Sequence, residues 1–258
     1  MLLAIDAGNT NITLGLFRQQ ELIAQWRLLT DHERSGVQYE ADVRDLFERA
    51  GIDRNEVDGV AIASVVPLLD HALRQIAASF SVEPLFVDHT TDTGLKLFYD
   101  PPSDLGADRI VDAVAAMNKY DTPCIVVDFG TATTFNVVSK RREFVGGAIS
   151  PGLFTCADAL FARTAKLPRV DFVQPPAVIG TSTIEAIQSG IYYGYVGLVD
   201  GMIARMLEDM LSVSRIVATG GLASLIADAS QYIDTIDETL TLDGLRIVYD
   251  RIKRGSAW

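Results

Sequence analysis

"DAGNTNIT" at residues 6–13 and "DFGTATTF" at residues 128–135 are two versions of one short device. Each follows an apolar run, "LLAI" in the first case and "CIVV" in the second. Each consists of an Asp, one small or apolar residue, a Gly and a polar pair rich in Thr and Asn, and a second apolar-leaning run follows. That order predicts strand, tight turn, strand. The two Asp residues are 128 − 6 = 122 positions apart, close to half of the 258-residue chain. Around them the pattern repeats, with strands expected at 2–6, 12–17 and 21–29 and again at 124–130, 133–139 and 143–150. The chain reads as an internal duplication: two α/β subdomains facing each other, each lending its first turn to a shared cleft. "KYDTP" at 119–123 supplies polar and Pro punctuation, so the units are expected at 1–118 and 119–258.

Between these landmarks, apolar spacing predicts helices over 35–52, with Gly51 as C-cap, over 68–80 and over 108–120. Strands are expected at 59–66, closed by Pro67, and at 83–88. Residues 99–109, "YDPPSDLGADR", read as a loop. In the second half two long helical regions are expected at about 151–165 and 181–212. A strand at 215–221, a helix at 222–229 and a final strand and helix complete the order.

Two turns of this kind point to phosphate. A tight turn with Gly and small hydroxyl residues turns several backbone N–H groups one way, and such a nest binds anionic oxygens. Gly8 and Gly130 carry no Cβ, so an anion can approach closely. Thr10, Thr13, Thr131 and Thr133, with Asn9 and Asn11, add side-chain donors. Asp6 and Asp128 would repel a phosphate directly but can hold a cation, or water on a cation, that neutralises it. One such turn is commonly just a hairpin with an Asx bond; two at matching places in a duplicated frame favour a polyphosphate ligand. The "DFG" of protein kinases is a different motif, because no Gly-rich loop, "VAIK" strand or "HRDL" loop accompanies it.

Composition narrows the class. A net charge of −12 argues against a general nucleic-acid binder, and 48% hydrophobic residues supply a core. Two cysteines, Cys124 and Cys156, form no disulfide framework. The N-terminus lacks the basic region of a signal peptide, and no stretch is apolar and uncharged for long enough to span a bilayer. A cytoplasmic protein with no membrane partner is expected. His32, His71 and His89 show no metal-ligand spacing. Tyr192, Tyr193 and Tyr195 read as core or subunit interface. Gly146, Gly147 and Gly152 serve either a tight corner or a close backbone approach to a ligand.

"DAGNTNITLGLF", "LGADRIVDAVAA", "DFGTATTFNVV", "GGAISPGL", "TSTIEAIQSGIYYGYVGLVDG" and "ATGGLA" occur in this order between residue 1 and about 250. Together they resemble the type III pantothenate kinases, within the acetate and sugar kinase/Hsc70/actin superfamily. The resemblance implies two duplicated actin-like, ribonuclease H-like subdomains with mixed central sheets flanked by helices. It implies ATP-dependent phosphorylation of pantothenate to 4'-phosphopantothenate at the start of coenzyme A synthesis. A homodimer, Mg2+ and a monovalent cation, K+ or NH4+, come with it. Carried over by motif, Asp6, Ala7, Gly8, Asn9, Thr10, Asn11, Ile12 and Thr13 form the first phosphate segment, with Asp6 near the Mg2+, held through water. Gly106, Ala107, Asp108 and Arg109 match the pantothenate segment, and Asp108 the general base. Tyr99 and Thr183 match substrate contacts. Asp128 matches the monovalent-cation ligand, Thr131 an ATP contact, and Gly220 and Gly221 the adenosine segment. Asp100 and Cys156 depart from the commoner Asn and Ser of the family.

From the residues alone, Asp108 at a helix start serves equally as an N-cap or as a proton acceptor. Arg109 is either a bidentate carboxylate holder or a solvated helix-edge charge. A regulatory binding protein and an actin-like filament protein remain as other classes on the same fold. The retained Asp108 argues against the first of these, and the short chain against the second.

Overall fold

Leu2–Ala7 (β1) buries every side chain except the fifth, as a strand with neighbours on both edges should. In this computed structural model, which describes residues 1–164, 166–210 and 212–255 (Arg254 by its backbone alone), β1 pairs antiparallel with Asn11–Arg18 (β2) and parallel with Gly59–Ser64 (β4). Glu21–Leu29 (β3) and Leu85–Phe86 (β5) close the sheet in the order β3-β2-β1-β4-β5. The strand expected at 83–88 is thus reduced to two residues. A further two-residue strand, Lys96–Leu97 (β6), was not anticipated.

Helix Gly36–Ala50 (α1) begins at a capping box in which Ser35 and Gln38 satisfy each other's backbone N–H, and ends at Gly51 with φ 66°. It buries Tyr39, Val43 and Phe47, spaced four apart. Phe47 packs on Trp26 and Phe80 at ring separations of 5.3 and 5.4 Å. With Asp70–Ala78 (α2), α1 covers the sheet face carrying Leu3, Ile5 and Ala7. Each large apolar side chain buried there contributes roughly 1.5–3 kcal/mol. Ala107–Lys119 (α3) follows.

The second half repeats the plan. Cys124–Phe129 (β7), Ala132–Val138 (β8) and Glu143–Pro151 (β9) form an antiparallel run. Helices Leu153–Arg163 (α4) and Thr183–Asp209 (α5) come next, then Arg215–Thr219 (β10), the short helix Ala223–Ala227 (α6) and Thr235–Ile236 (β11). β10 runs parallel to β7, and β11 parallel to β10. The order β9-β8-β7-β10-β11 therefore matches β3-β2-β1-β4-β5 strand for strand. Ile125, Val127 and Phe129 face a core closed by Tyr195, Val199 and Ile203 of α5 and Ile226 of α6. The helices expected over 151–165 and 181–212 are present in shorter form, and Ala165 and Leu211 lie outside the described residues. Among the described residues no helix is long and apolar enough to cross a membrane.

Packing divides the chain into Met1–Ala115 with the described chain from Thr239 onward, and Ala116–Glu238. The sequence division at 118/119 places everything after it in the second unit; the last helix, Leu240–Arg254 (α7), instead groups with the first. Leu242 of α7 fills the space above Gly15, and Tyr249 occupies the space above Gly59. A Cβ on Gly244 would stand 2.1 Å from the Val111 carbonyl oxygen of α3. Beside it, Thr241 donates its hydroxyl hydrogen bond to the buried Asp112 at 2.7 Å. The chain passes between units next to a polar clamp: Asp237 accepts from Lys119 at 2.6 Å and from Tyr120 at 2.9 Å.

Gly244→Ala is expected to destabilise the protein by about 1–3 kcal/mol, because backbone must shift to admit the methyl group. Thermal melting against the parent protein measures this.

Candidate active site

Asp6 and Asp128 hold equivalent places. In β1 and in β7 the first four residues and the sixth are buried, and the fifth, the Asp, alone is partly open. Both stand at the carboxyl end of a central strand, where ligands gather in α/β sheets. The turns that follow are built alike. The Gly8 N–H donates to the Asn11 carbonyl at 2.9 Å, and the Gly130 N–H donates to the Ala132 carbonyl at 3.1 Å. The second turn is one residue shorter. Asn9, Thr10, Gly130 and Thr131 are exposed on these turns, whereas Ala7 and Ile12 are buried in the core and can offer only backbone to a ligand. Asn11 and Thr13 begin β2 half-buried, with Thr13 opposite Asp6 in register.

Thr30 and Thr155, which the sequence did not single out, brace the two turns together with Gly152, read from the sequence as a tight corner or a close backbone approach. The Thr30 N–H donates to the Thr10 carbonyl at 3.0 Å, and its hydroxyl donates to the Gly8 carbonyl at 2.6 Å. In the second half the Gly152 N–H donates to the Thr131 carbonyl at 3.0 Å, and the Thr155 hydroxyl donates to the same oxygen at 2.8 Å. Gly152 sits so close that a Cβ would stand 2.5 Å from the Gly130 and Thr131 carbonyl oxygens. The available signal was positional: each brace begins just after the third strand of its half.

Gly220 completes the second site. Its φ is +89°, and a Cβ there would meet Asp128 Oδ1 at 2.4 Å and the Phe129 backbone N at 2.7 Å. β10 delivers it beside Asp128 because Thr219 pairs with Asp128 in register. Gly221 follows, exposed. On β8, Thr133 is buried and shares a hydrogen bond with the Tyr195 hydroxyl, which also donates to the Pro151 carbonyl at 3.2 Å. Burial is the main cause that raises the Tyr195 pKa.

Within the first unit, Tyr99, Gly106, Asp108 and Arg109 come together. The Arg109 side chain is buried, with Nη1 at 3.5 Å from the Tyr99 hydroxyl and the guanidinium carbon 5.5 Å from that ring's centre. Asp108 Oδ1 accepts the Arg109 backbone N–H at 2.7 Å. A Cβ on Gly106 would stand 2.5 Å from that oxygen, so Gly is what leaves room for the carboxylate. Ala107, which opens α3, is buried. Loss of hydration raises the Asp108 carboxyl above its ordinary value, against the lowering effect of the Arg109 N–H and charge. A carboxylate made more basic in this way suits proton transfer.

Thr183, the first residue of α5, lies elsewhere in the second unit. It lines a groove of about 650 Å³ with Cys156 and Leu160 of α4 and Gly190, Gly194 and Tyr195 of α5. Among the described residues no cluster of three or more His, Cys, Asp or Glu could hold a metal ion by itself.

Comparison with known proteins shows the family. Residues 2–205 match the family model described as type III pantothenate kinase. A type III pantothenate kinase of Anaeromyxobacter sp. is 51% identical over 252 residues, 97% of this chain and 99% of that protein. One of Koribacter versatilis is 48% identical over 262 residues, 97% of this chain and 96% of that protein. The fold is shared more widely: the activator of 2-hydroxyisocaproyl-CoA dehydratase from Clostridium difficile superposes with a TM-score of 0.56 at 9% identity, over 98% of this chain and 96% of that one.

Gly220→Ala is expected to lower stability by about 1–3 kcal/mol, since it combines a positive φ with overlap on Asp128 and Phe129. Chemical denaturation of the variant reads this directly.

Proposed function

The chain belongs to the type III pantothenate kinase family, and we propose that it transfers the γ-phosphoryl group of ATP to the primary hydroxyl of pantothenate. The product is 4'-phosphopantothenate, and the step opens coenzyme A synthesis. The observation that carries this reading is near-full-length identity of about one half to type III pantothenate kinases. The cluster of Tyr99, Asp108 and Arg109 supports it chemically.

Each residue takes a role that its surroundings suit. Arg109, buried beside Tyr99, holds the pantothenate carboxylate with a planar pair of N–H donors. Asp108 accepts the hydroxyl proton as that oxygen bonds to the γ-phosphorus. The bond from the γ-phosphorus to the β–γ bridging oxygen breaks, ADP leaves, and the proton passes from Asp108 to solvent. The turns at Gly8 and Gly130 bind phosphate oxygens through backbone N–H groups, with Thr10, Thr13 and Thr131 adding hydroxyls. Gly220, packed on Asp128, presents the exposed Gly221 as the adenosine segment. Magnesium supplies charge neutralisation on the phosphates. Asp6, partly open near the end of β1, would hold that ion through water. Asp128, partly open and closely packed by Gly220, offers one carboxylate, which fits a singly charged K+ or NH4+.

We also propose a homodimer formed through α4 and α5. α5 runs for 27 residues and is apolar on more than its core face. Phe154, Leu160 and Ile184 are exposed at 48, 37 and 51%, and among the described residues no atom beyond the helix's own backbone and chain neighbours lies within 4 Å of the Cβ positions of Gly190, Gly194 and Gly197. Exposed apolar side chains grouped on one face mark an interaction surface, and Thr183 stands at that groove as the proposed substrate contact from this face. We propose a cytoplasmic location, in keeping with the two free thiols Cys124 and Cys156.

The deciding experiment mixes the purified protein with pantothenate, ATP and magnesium, in potassium or in sodium, and detects phosphopantothenate by mass spectrometry. Product is expected with potassium and little with sodium; full activity in sodium removes the cation role of Asp128, and no product in either removes the reaction. Asp108→Asn should bind ATP as the parent does while losing about 10²–10⁴-fold in kcat, the range of general-base catalysis. The sign of the pH effect follows from the raised carboxyl: the base is active when ionised, so kcat falls as pH drops through a value above the usual carboxylate range. A pH–kcat profile with its acidic limb at the ordinary carboxylate value contradicts this.

A further inference from the structure

The two braces behind the turns are not accounted for by direct ligand contact, and they recur at equivalent places. Thr30 lies one residue beyond β3, and Gly152 one residue beyond β9. In each half a backbone N–H at that point reaches the carbonyl of the turn's Thr, at 3.0 Å in both cases. In each half a Thr hydroxyl then reaches a turn carbonyl, at 2.6 Å from Thr30 to Gly8 and at 2.8 Å from Thr155 to Thr131. The hydroxyls come from different local structures, an irregular segment after β3 and the first turn of α4. Each turn thus gains one hydroxyl bond, on its Gly carbonyl in the first half and on its Thr carbonyl in the second.

The physical reason lies in the peptide dipole. A peptide unit is planar, so fixing its C=O on one side fixes the direction of the N–H that follows. A nest binds an anion only when successive N–H groups face it and the carbonyls face away. A carbonyl rotated toward the ligand would repel it. A hydroxyl donor on the far side of the turn fixes the favourable orientation before the ligand arrives, which lowers the ordering cost of binding.

We propose that Thr30 and Thr155 are paired positioning residues, each holding the carbonyls of one turn away from the nucleotide phosphates; this rests on the reading that those turns bind ATP. Both hydroxyls act through backbone, so neither is a catalytic residue. The effect belongs to ATP and not to pantothenate, whose proposed contacts are Tyr99, Arg109 and Thr183.

The test is ATP titration calorimetry with magnesium, together with steady-state kinetics, on Thr30→Val and Thr155→Val. Each variant is expected to raise the ATP Kd and KM about three- to tenfold, the value of one hydrogen bond. The pantothenate KM should stay within about twofold of the parent, since a single hydrogen bond at the ATP turns is lost. Thr30→Ser and Thr155→Ser, which keep the hydroxyl, should restore ATP affinity. Unchanged ATP constants in both Val variants, with parental melting curves, overturn the proposal, as does an equal rise in both substrates' KM. Asp6→Asn separates the two readings. ATP binding weakened by Asp6→Asn but intact in the Val variants overturns the positioning role alone; ATP binding intact in all three overturns the placement of the nucleotide as well. Should a Val variant fail to fold, Thr→Ala removes the same hydroxyl with a smaller side chain and is read by the same criteria.

Discussion

A strand paired on both edges and covered on both faces can bury almost everything it carries, and β1 and β7 do so. The exception in each is a carboxylate one residue before the strand ends. Burying a charge is costly; the Asp stays partly open near the strand end, and the backbone turns one residue later. Placement of the Asp, the Gly and the Thr-rich turn follows from that limit. The sheet order then repeats because the same solution is used twice: an antiparallel pair to form the turn, and parallel strands to deliver a further loop beside it. In the second half that further loop brings Gly220 against Asp128.

The site's polarity is likewise arranged from local chemistry. Asp108 stands in the first turn of α3, where unpaired N–H groups favour a negative charge, yet burial raises its pKa. The two influences oppose each other, and burial prevails. Gly106 leaves the room in which this balance is set. Arg109, adjacent in sequence, is carried to a buried position against Tyr99. The proposed base and anion holder are therefore two successive residues of one helix.

Much of this was legible in the chain. The Asp-x-Gly-Thr turns follow apolar runs whose period fixes both hairpins, and the 122-residue offset between Asp6 and Asp128 announces the repeated sheet. Asp108 and Arg109 were legible as a pair, although cap and base could be told apart only by resemblance. What stayed hidden depended on partners distant in sequence. The strand at 85–86 is short because only Leu85 and Phe86 find register with Ala61 and Ile62. The allegiance of α7 depends on Tyr249 meeting Gly59 and Leu242 meeting Gly15, pairs that no local pattern marks. Thr30 and Thr155 look like ordinary surface-side threonines until the carbonyls they hold are known.

The return of α7 has a further meaning for the history of each molecule. Residues 116–238 form one uninterrupted stretch, whereas the first unit is assembled from two pieces of chain separated by it. During synthesis the second unit therefore has all of its residues outside the ribosome before the first can cover Gly15 and Gly59. Until then the first sheet has its α1 and α2 face covered and its other face waiting for Leu242 and Tyr249. The half that begins first is the half that finishes last, because Leu242 and Tyr249 are made after the whole of residues 116–238.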